Sequence, residues 1–245
     1  MEVASRAQAW VRGSGALALR ESSPLRYADY LAAPDHPLIA ADVEQVDKDL
    51  HRMTAETLHQ PSLRAVFERA GVDALRERSR ALLGAYLRRH RNPGYAQGLH
   101  LTAALLLCYM GDEAAFWCFC AMAARLFPRD YFARPPLSMN GLLVDTDVLL
   151  HLLRHAVPDL ARRLGPDKLA CVAQLLAPKM LVPLFVDELP LLMTLTVWDA
   201  FWTPAGSVAA LWGLVALLDM VKSRVSPDSV DAVGSSVAAA RAGPV

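Results

Sequence analysis

Two polar side chains have types and surroundings that could do chemistry, Gln97 and Arg52. Gln97 lies in Asn92-Pro93-Gly94-Tyr95-Ala96-Gln97-Gly98-Leu99-His100, where an Asn-Pro-Gly turn ends one amphipathic helix and an apolar run begins the next. A helix N-terminus exposes backbone N–H groups and a positive dipole end, so an anionic ligand is favoured there. An amide both donates and accepts hydrogen bonds. Arg52 closes Val46-x-x-Asp49-x-x-Arg52 at the end of another short helix. Its planar guanidinium is suited to phosphate oxygens. Asp49, three residues earlier, is within reach of it, and an ordinary surface ion pair is the plainer reading of that spacing. Each stretch alone is a weak signal.

The elements that must position these residues are helical. Val43, Val46, Leu50 and Met53 recur on one face and predict a helix over Asp42–Met53, with Asp42 as its N-cap. Over Val72–His90, Leu75, Ser79, Leu82, Leu83, Tyr86 and Leu87 form a stripe. Arg76, Arg78, Arg80, Arg88 and Arg89 cover the remainder and read as a solvated face. Leu99–Met110 is apolar nearly all round, which predicts a buried central helix. Gly111 ends it, and Asp112 caps Glu113–Phe127, where Phe116, Trp117 and Phe119 read as core.

Residues 128–141 read as a loop with room for a partner contact. A helix follows over Leu142–His155. His151 and His155 are four apart but lack the glutamate of a zinc-binding His-Glu-x-x-His helix, so a metal site is rejected. Pro158–Leu164 is a short helix ended by Gly165-Pro166, and Lys168–Ala177 is another, interrupted by Pro178 and Pro183. Phe185–Thr196 and Trp198–Trp202 are apolar, and Trp198-Asp199 reads as a packed indole beside a hydrogen-bonded carboxylate. Gly206–Val221 is a buried helix. From Pro227 the composition turns to Ala, Ser, Gly and Val, the signature of a loosely held tail. No period-two run appears. The expectation is an all-α fold without β-sheet: a partly helical lead-in over 1–41, one multi-helix domain over 42–222, and a tail over 223–245.

Composition narrows the function. The chain has 245 residues, 54% of them apolar, enough for a substantial core. Its formal net charge is zero, which argues against a nucleic-acid partner. Cys108, Cys118, Cys120 and Cys171 form no Cys-x-x-Cys pair and read as reduced core thiols. No apolar run approaches the length of a membrane span, and Met1–Arg12 lacks the apolar stretch of a secretory signal. Phosphate-binding glycine motifs and a Gly-x-Ser-x-Gly nucleophile elbow are missing, so no hydrolase or nucleotide site of its own is indicated. A cytoplasmic protein is expected, with recruitment to endomembranes through partners left open.

Taken together, the two motifs resemble the TBC domain of Rab GTPase-activating proteins. That family carries Ile-x-x-Asp-x-x-Arg and Tyr-x-Gln followed by Gly. Here they read Val46-Asp47-Lys48-Asp49-Leu50-His51-Arg52 and, with the glutamine 45 positions after the arginine, Tyr95-Ala96-Gln97-Gly98. Glu113-x-x-Phe116-Trp117 and Trp198-Asp199-x-Phe201 extend the likeness, which runs from about Asp42 to Met220. The resemblance implies an all-helical fold and a place in vesicle trafficking. Its partner would be a Rab-family GTPase in the GTP-bound form, whose GTP and Mg²⁺ belong to that partner, with no cofactor of the chain's own. It assigns Arg52 as an arginine finger and Gln97 as a glutamine finger that orients water. Asp49 would orient Arg52, Tyr95 would support the loop, and Gly94 and Gly98 would flank it.

The departures from the family pattern are Val46 for Ile, Met53 for Thr, Leu99 for Met and His100 for Asn. Met180-Leu181 stands where Trp-Phe is common. These bear on substrate choice and packing. They leave open the alternative of a catalytically silent binding module on the same fold.

Overall fold

The computed structural model describes residues 3–90, 94–127, 130–131, 139–203 and 206–222. Every regular element among the described residues is helical. They are α1 (Val3–Ser14), α2 (Ala16–Ser22), α3 (Tyr27–Ala32), a short 3-10 turn (Pro37–Ile39), α4 (Ala40–Arg52), α5 (Pro61–Ala70), α6 (Val72–Arg89) and α7 (Leu99–Tyr109). After these come α8 (Asp112–Leu126), α9 (Asn140–Ala156), α10 (Pro158–Leu181), α11 (Leu191–Phe201) and α12 (Gly206–Val221). No described helix is long and apolar enough to cross a membrane. The expected loop over 128–141, the Asn92-Pro93 turn and the tail lie wholly or largely outside the described residues.

The core is built around α7. Its Ala103, Ala104, Leu105 and Leu106 are fully buried, as expected of a segment without a polar face. Helix α6 packs on it, with α8 beside both. The arginines of α6 are more than a solvated face. Arg76 donates to the Met53 carbonyl, Arg78 to Asp112, Arg88 to Asp35 and Arg89 to the Tyr30 hydroxyl. Their long side chains thereby tie α3, the end of α4 and the start of α8 to one rod. The Arg89 guanidinium also lies 4.9 Å from the Trp117 ring centre, close enough for a cation–π contact.

The N-terminal helix is fastened to α11, almost two hundred residues away in the chain. Asp199 accepts from Arg6 Nη2 at 2.9 Å and from Trp10 Nε1 at 2.8 Å. The Trp10 ring packs 5.2 Å from both Tyr109 and Trp198. Trp198 and Asp199 therefore hold the roles expected of them, a packed indole and a bonded carboxylate.

Several local expectations are corrected. Asp42 does not cap α4: the helix starts at Ala40 behind Ile39, and the Asp42 carboxylate accepts from the Tyr95 N–H at 3.1 Å. Gly165, at φ 73 and ψ 170, leaves helical geometry, so α10 is two helices meeting at a kink where Gly165-Pro166 is expected to end the first. Pro178, by contrast, is accommodated inside the second, which runs on to Leu181. Pro183 lies in the turn after α10 and so loses no helical hydrogen bond. Cys118 and Cys120 are buried thiols, but Cys171 is exposed on α10 and is no part of the core.

Candidate functional site

The Arg52 backbone is fixed on three sides. The Met53 N–H closes the helix onto the Asp49 carbonyl at 3.1 Å, and the Met53 side chain is buried. The Thr57 hydroxyl donates to the Arg52 carbonyl at 2.6 Å, and Arg76 holds the next carbonyl. Those are the orphan acceptors of a helix C-terminus, where a cation is also favoured by the dipole. The side chain itself is 68% exposed, and its Nη1 stands 3.9 Å from Asp49, beyond hydrogen-bond distance. Arg52 thus has a rigid base and an exposed tip that is only loosely paired.

Asp49 does pair with Arg52, at 3.9 Å, but from a buried position and not as half of an exposed surface pair. Gln45 Nε2 donates to its Oδ1 at 2.9 Å, and the Tyr95 hydroxyl donates to its Oδ2 at 2.9 Å. Tyr95 in turn lies 2.9 Å from His100 Nδ1. Burial and the neighbouring Asp49 push the Tyr95 phenol far above its ordinary value, so it remains a donor. Burial lowers His100 to about 4.

Gln97 is exposed two residues beyond Tyr95. The turn that presents it needs Gly98, whose φ of 111 is in a region L side chains avoid. A Cβ there would also stand 3.2 Å from the Pro183 Cβ. The Gln97 loop therefore sits flat against the segment following α10.

That segment forms the third wall. Leu184, Phe185 and Asp187 all have positive φ, a conformation that persists only where surroundings enforce it. The Phe185 N–H bonds the Met180 carbonyl at 2.8 Å, Trp198 Nε1 bonds the Leu184 carbonyl at 2.8 Å, and Thr102 bonds the Pro183 carbonyl at 3.1 Å. Asp187 accepts from the backbone N–H groups of His59 and Gln60 and lies 2.8 Å from His59 Nδ1. His59 was missed as a site residue. Its only signal is a polar pair placed just before the helix-starting Pro61, which is too common to single it out.

The three walls enclose one open cleft of about 780 Å³. Arg52, Asp49, Tyr95, Gln97, Gly94 and Gly98 all line it, so the structure brings the six sequence-selected residues together. His59, Asp187 and Lys179 line it as well. Among the described residues, no hydrogen bond engages the Arg52 guanidinium or the Gln97 amide. A cleft with a loosely paired, exposed cation and an exposed amide can meet a phosphorylated ligand brought by another molecule.

A family model described as the Rab-GTPase-TBC domain matches residues 4–225. The chain belongs to this family. Small G protein signaling modulator 3 of Mus musculus is 32% identical over 198 residues, covering 80% of this chain and 24% of that protein. Growth hormone-regulated TBC protein 1 of Homo sapiens is 27% identical over 204 residues, covering 83% and 56%. Carabin of Mus musculus is 28% identical over 236 residues, covering 95% and 49%. The chain thus spans about a quarter of the first relative and about half of the other two. A crystal structure of the Chlamydomonas flagellar RabGAP TBC domain superposes with a TM-score of 0.68 at 17% identity, covering all of this TBC domain and 81% of that chain. At that identity the likeness is one of fold.

Proposed function

We propose that this TBC domain accelerates GTP hydrolysis on a Rab-family small GTPase, with Arg52 and Gln97 completing the partner's active site in trans. Phosphoryl transfer to water spreads negative charge over the γ-phosphoryl oxygens, and catalysis is mostly positioning and charge stabilisation. Arg52 supplies a cation whose planar fork reaches two of those oxygens. Gln97 accepts from the attacking water through its carbonyl and donates through its NH₂ group. GTP and Mg²⁺ come with the partner, and the chain needs no cofactor of its own.

The observation that carries this reading is that both side chains rise from rigid bases on the rim of one cleft without a hydrogen bond to hold their tips, Arg52 keeping only a loose 3.9 Å ion pair with Asp49. Catalytic geometry of this kind loses rate steeply when a group is misplaced, so a fixed backbone under a free tip is what an inserted finger requires.

The test is single-turnover GTP hydrolysis by a panel of purified Rab proteins with wild type, Arg52→Ala and Gln97→Ala. Acceleration that falls by about 10³-fold in the arginine variant, and steeply in the glutamine variant, is expected. A folded wild type that binds a GTP-loaded Rab and accelerates none would make the domain a binding module instead.

A further inference from the structure

The hydrogen bonds around Asp49 determine where a proton must sit. The Asp49 carboxylate already has a donor on each oxygen, Gln45 on Oδ1 and Tyr95 on Oδ2, while Arg52 stands off at 3.9 Å. The Tyr95 hydroxyl has one proton, and it is given to Asp49. The same hydroxyl oxygen lies 2.9 Å from His100 Nδ1. That contact is a hydrogen bond only if His100 Nδ1 carries the proton and donates it. His100 is only 8% exposed, and the acids that face it are Asp49 and Asp187. Burial outweighs their pull, and the ring is neutral near pH 7. Its single N–H is therefore on Nδ1.

We propose that His100 is a positioning residue: as an Nδ1–H donor it holds the Tyr95 hydroxyl on Asp49, which keeps that carboxylate occupied and leaves Arg52 free to leave it. An Asp49 without Tyr95 would have a bare buried oxygen three residues from a guanidinium, and the loose 3.9 Å ion pair would tighten into a hydrogen-bonded one. The arginine would then have to break that pair to reach a phosphate. The same three bonds tie the base of Arg52 to the start of the Gln97 loop, so both side chains are set by one network. The kinetic part of this proposal rests on Arg52 acting as a finger, and the proton placement does not.

The first measurement is long-range ¹⁵N–¹H NMR of the histidine side chains in the ¹⁵N-labelled full chain near pH 7. We expect His100 with Nδ1 protonated and Nε2 bare, and an Nε2–H tautomer overturns the proposal. The second compares wild type, Tyr95→Phe, His100→Leu and His100→Asn, the last keeping a donor. In Tyr95→Phe and His100→Leu the Arg52 guanidinium signal of Nη1, the nitrogen that faces Asp49, should become protected from solvent exchange as Asp49 captures it. It should stay freely exchanging in wild type and His100→Asn.

In GTP hydrolysis the first two variants should lose about tenfold in kcat at nearly constant KM, with His100→Asn close to wild type. Equal kcat in all four, or an equal loss in His100→Asn and His100→Leu, overturns it. If wild type accelerates no GTPase, the tautomer and the Arg52 exchange still decide, and only the reading of Arg52 as a finger is lost.

Discussion

Asp187 and His59, 128 residues apart in the chain, meet at 2.8 Å between Oδ2 and Nδ1. The same carboxylate takes the His59 and Gln60 N–H groups. One buried side chain therefore fastens the segment leaving Arg52 to the turn after α10. Asp187→Asn keeps the shape but offers one good acceptor in place of two. We expect a loss of about 1–3 kcal/mol in chemical denaturation. Amide hydrogen exchange should quicken at His59 and Gln60 while α7 stays protected, and unchanged rates at both amides would remove Asp187 from this role.

Gly98→Ala brings two penalties together, a β-carbon at φ 111 and a contact of 3.2 Å with Pro183. Strain of this kind costs about 1–3 kcal/mol, and the loop carrying Gln97 must shift to relieve it. We expect a lower denaturation midpoint and, for the proposed GTPase activation, an acceleration reduced beyond what the lost stability explains. A fully stable, fully active alanine variant would contradict the close packing.

The pin between α1 and α11 is tested by Asp199→Ala. The variant strands Arg6, only 12% exposed at the side chain, and the Trp10 N–H without their acceptor. Removing one partner of a largely buried pair costs about 3 kcal/mol. Limited proteolysis should then cut within residues 3–14 before any other described segment. Resistance of that helix equal to wild type would show that the aromatic packing of Trp10 suffices by itself.

Stability should fall with acid. His90 and His100 are both lowered from 6.5 to about 4, in each case chiefly by burial, with Arg89 adding to it at His90. The unfolded chain takes up these protons first, so between about pH 6.5 and pH 4 it binds more protons than the native state. Stability is then complete above pH 6.5 and declines toward pH 4, by an upper bound of roughly 3 kcal/mol per histidine. Denaturation midpoints at pH 7.5 and pH 5 measure this directly. His90→Asn, removing a ring whose Nε2 has no partner among the described residues, should flatten part of the slope.

Much of the fold is legible because its helices are coded by local spacing. The stripe from Leu75 to Leu87 predicts α6 to within one residue of its end, and the nearly all-apolar run after Gly98 predicts a buried α7. Arg52 and Gln97 are legible as motif residues. What surrounds them is not, because each partner arrives from far along the chain. Asp49 looks like half of a surface pair until Tyr95, 46 residues on, takes its oxygen and buries it. Asp42 looks like a helix cap until the Tyr95 N–H claims it. His59 has no local pattern at all, since its meaning comes from Asp187.

The turn over 182–189 has a kinetic consequence. Its left-handed residues are held by Trp198, by Thr102, and through Asp187 by the chain at His59 and Gln60. Contacts closing loops of this length are reached late in folding, after the helices they join have formed. A partly folded chain would already have its helical content and its buried α7 yet lack a finished cleft wall. In refolding followed by far-ultraviolet dichroism and by the capacity to bind a GTPase, the second signal should lag the first. Competence for a partner would then report completed folding, and a chain stalled halfway would be silent rather than wrongly active.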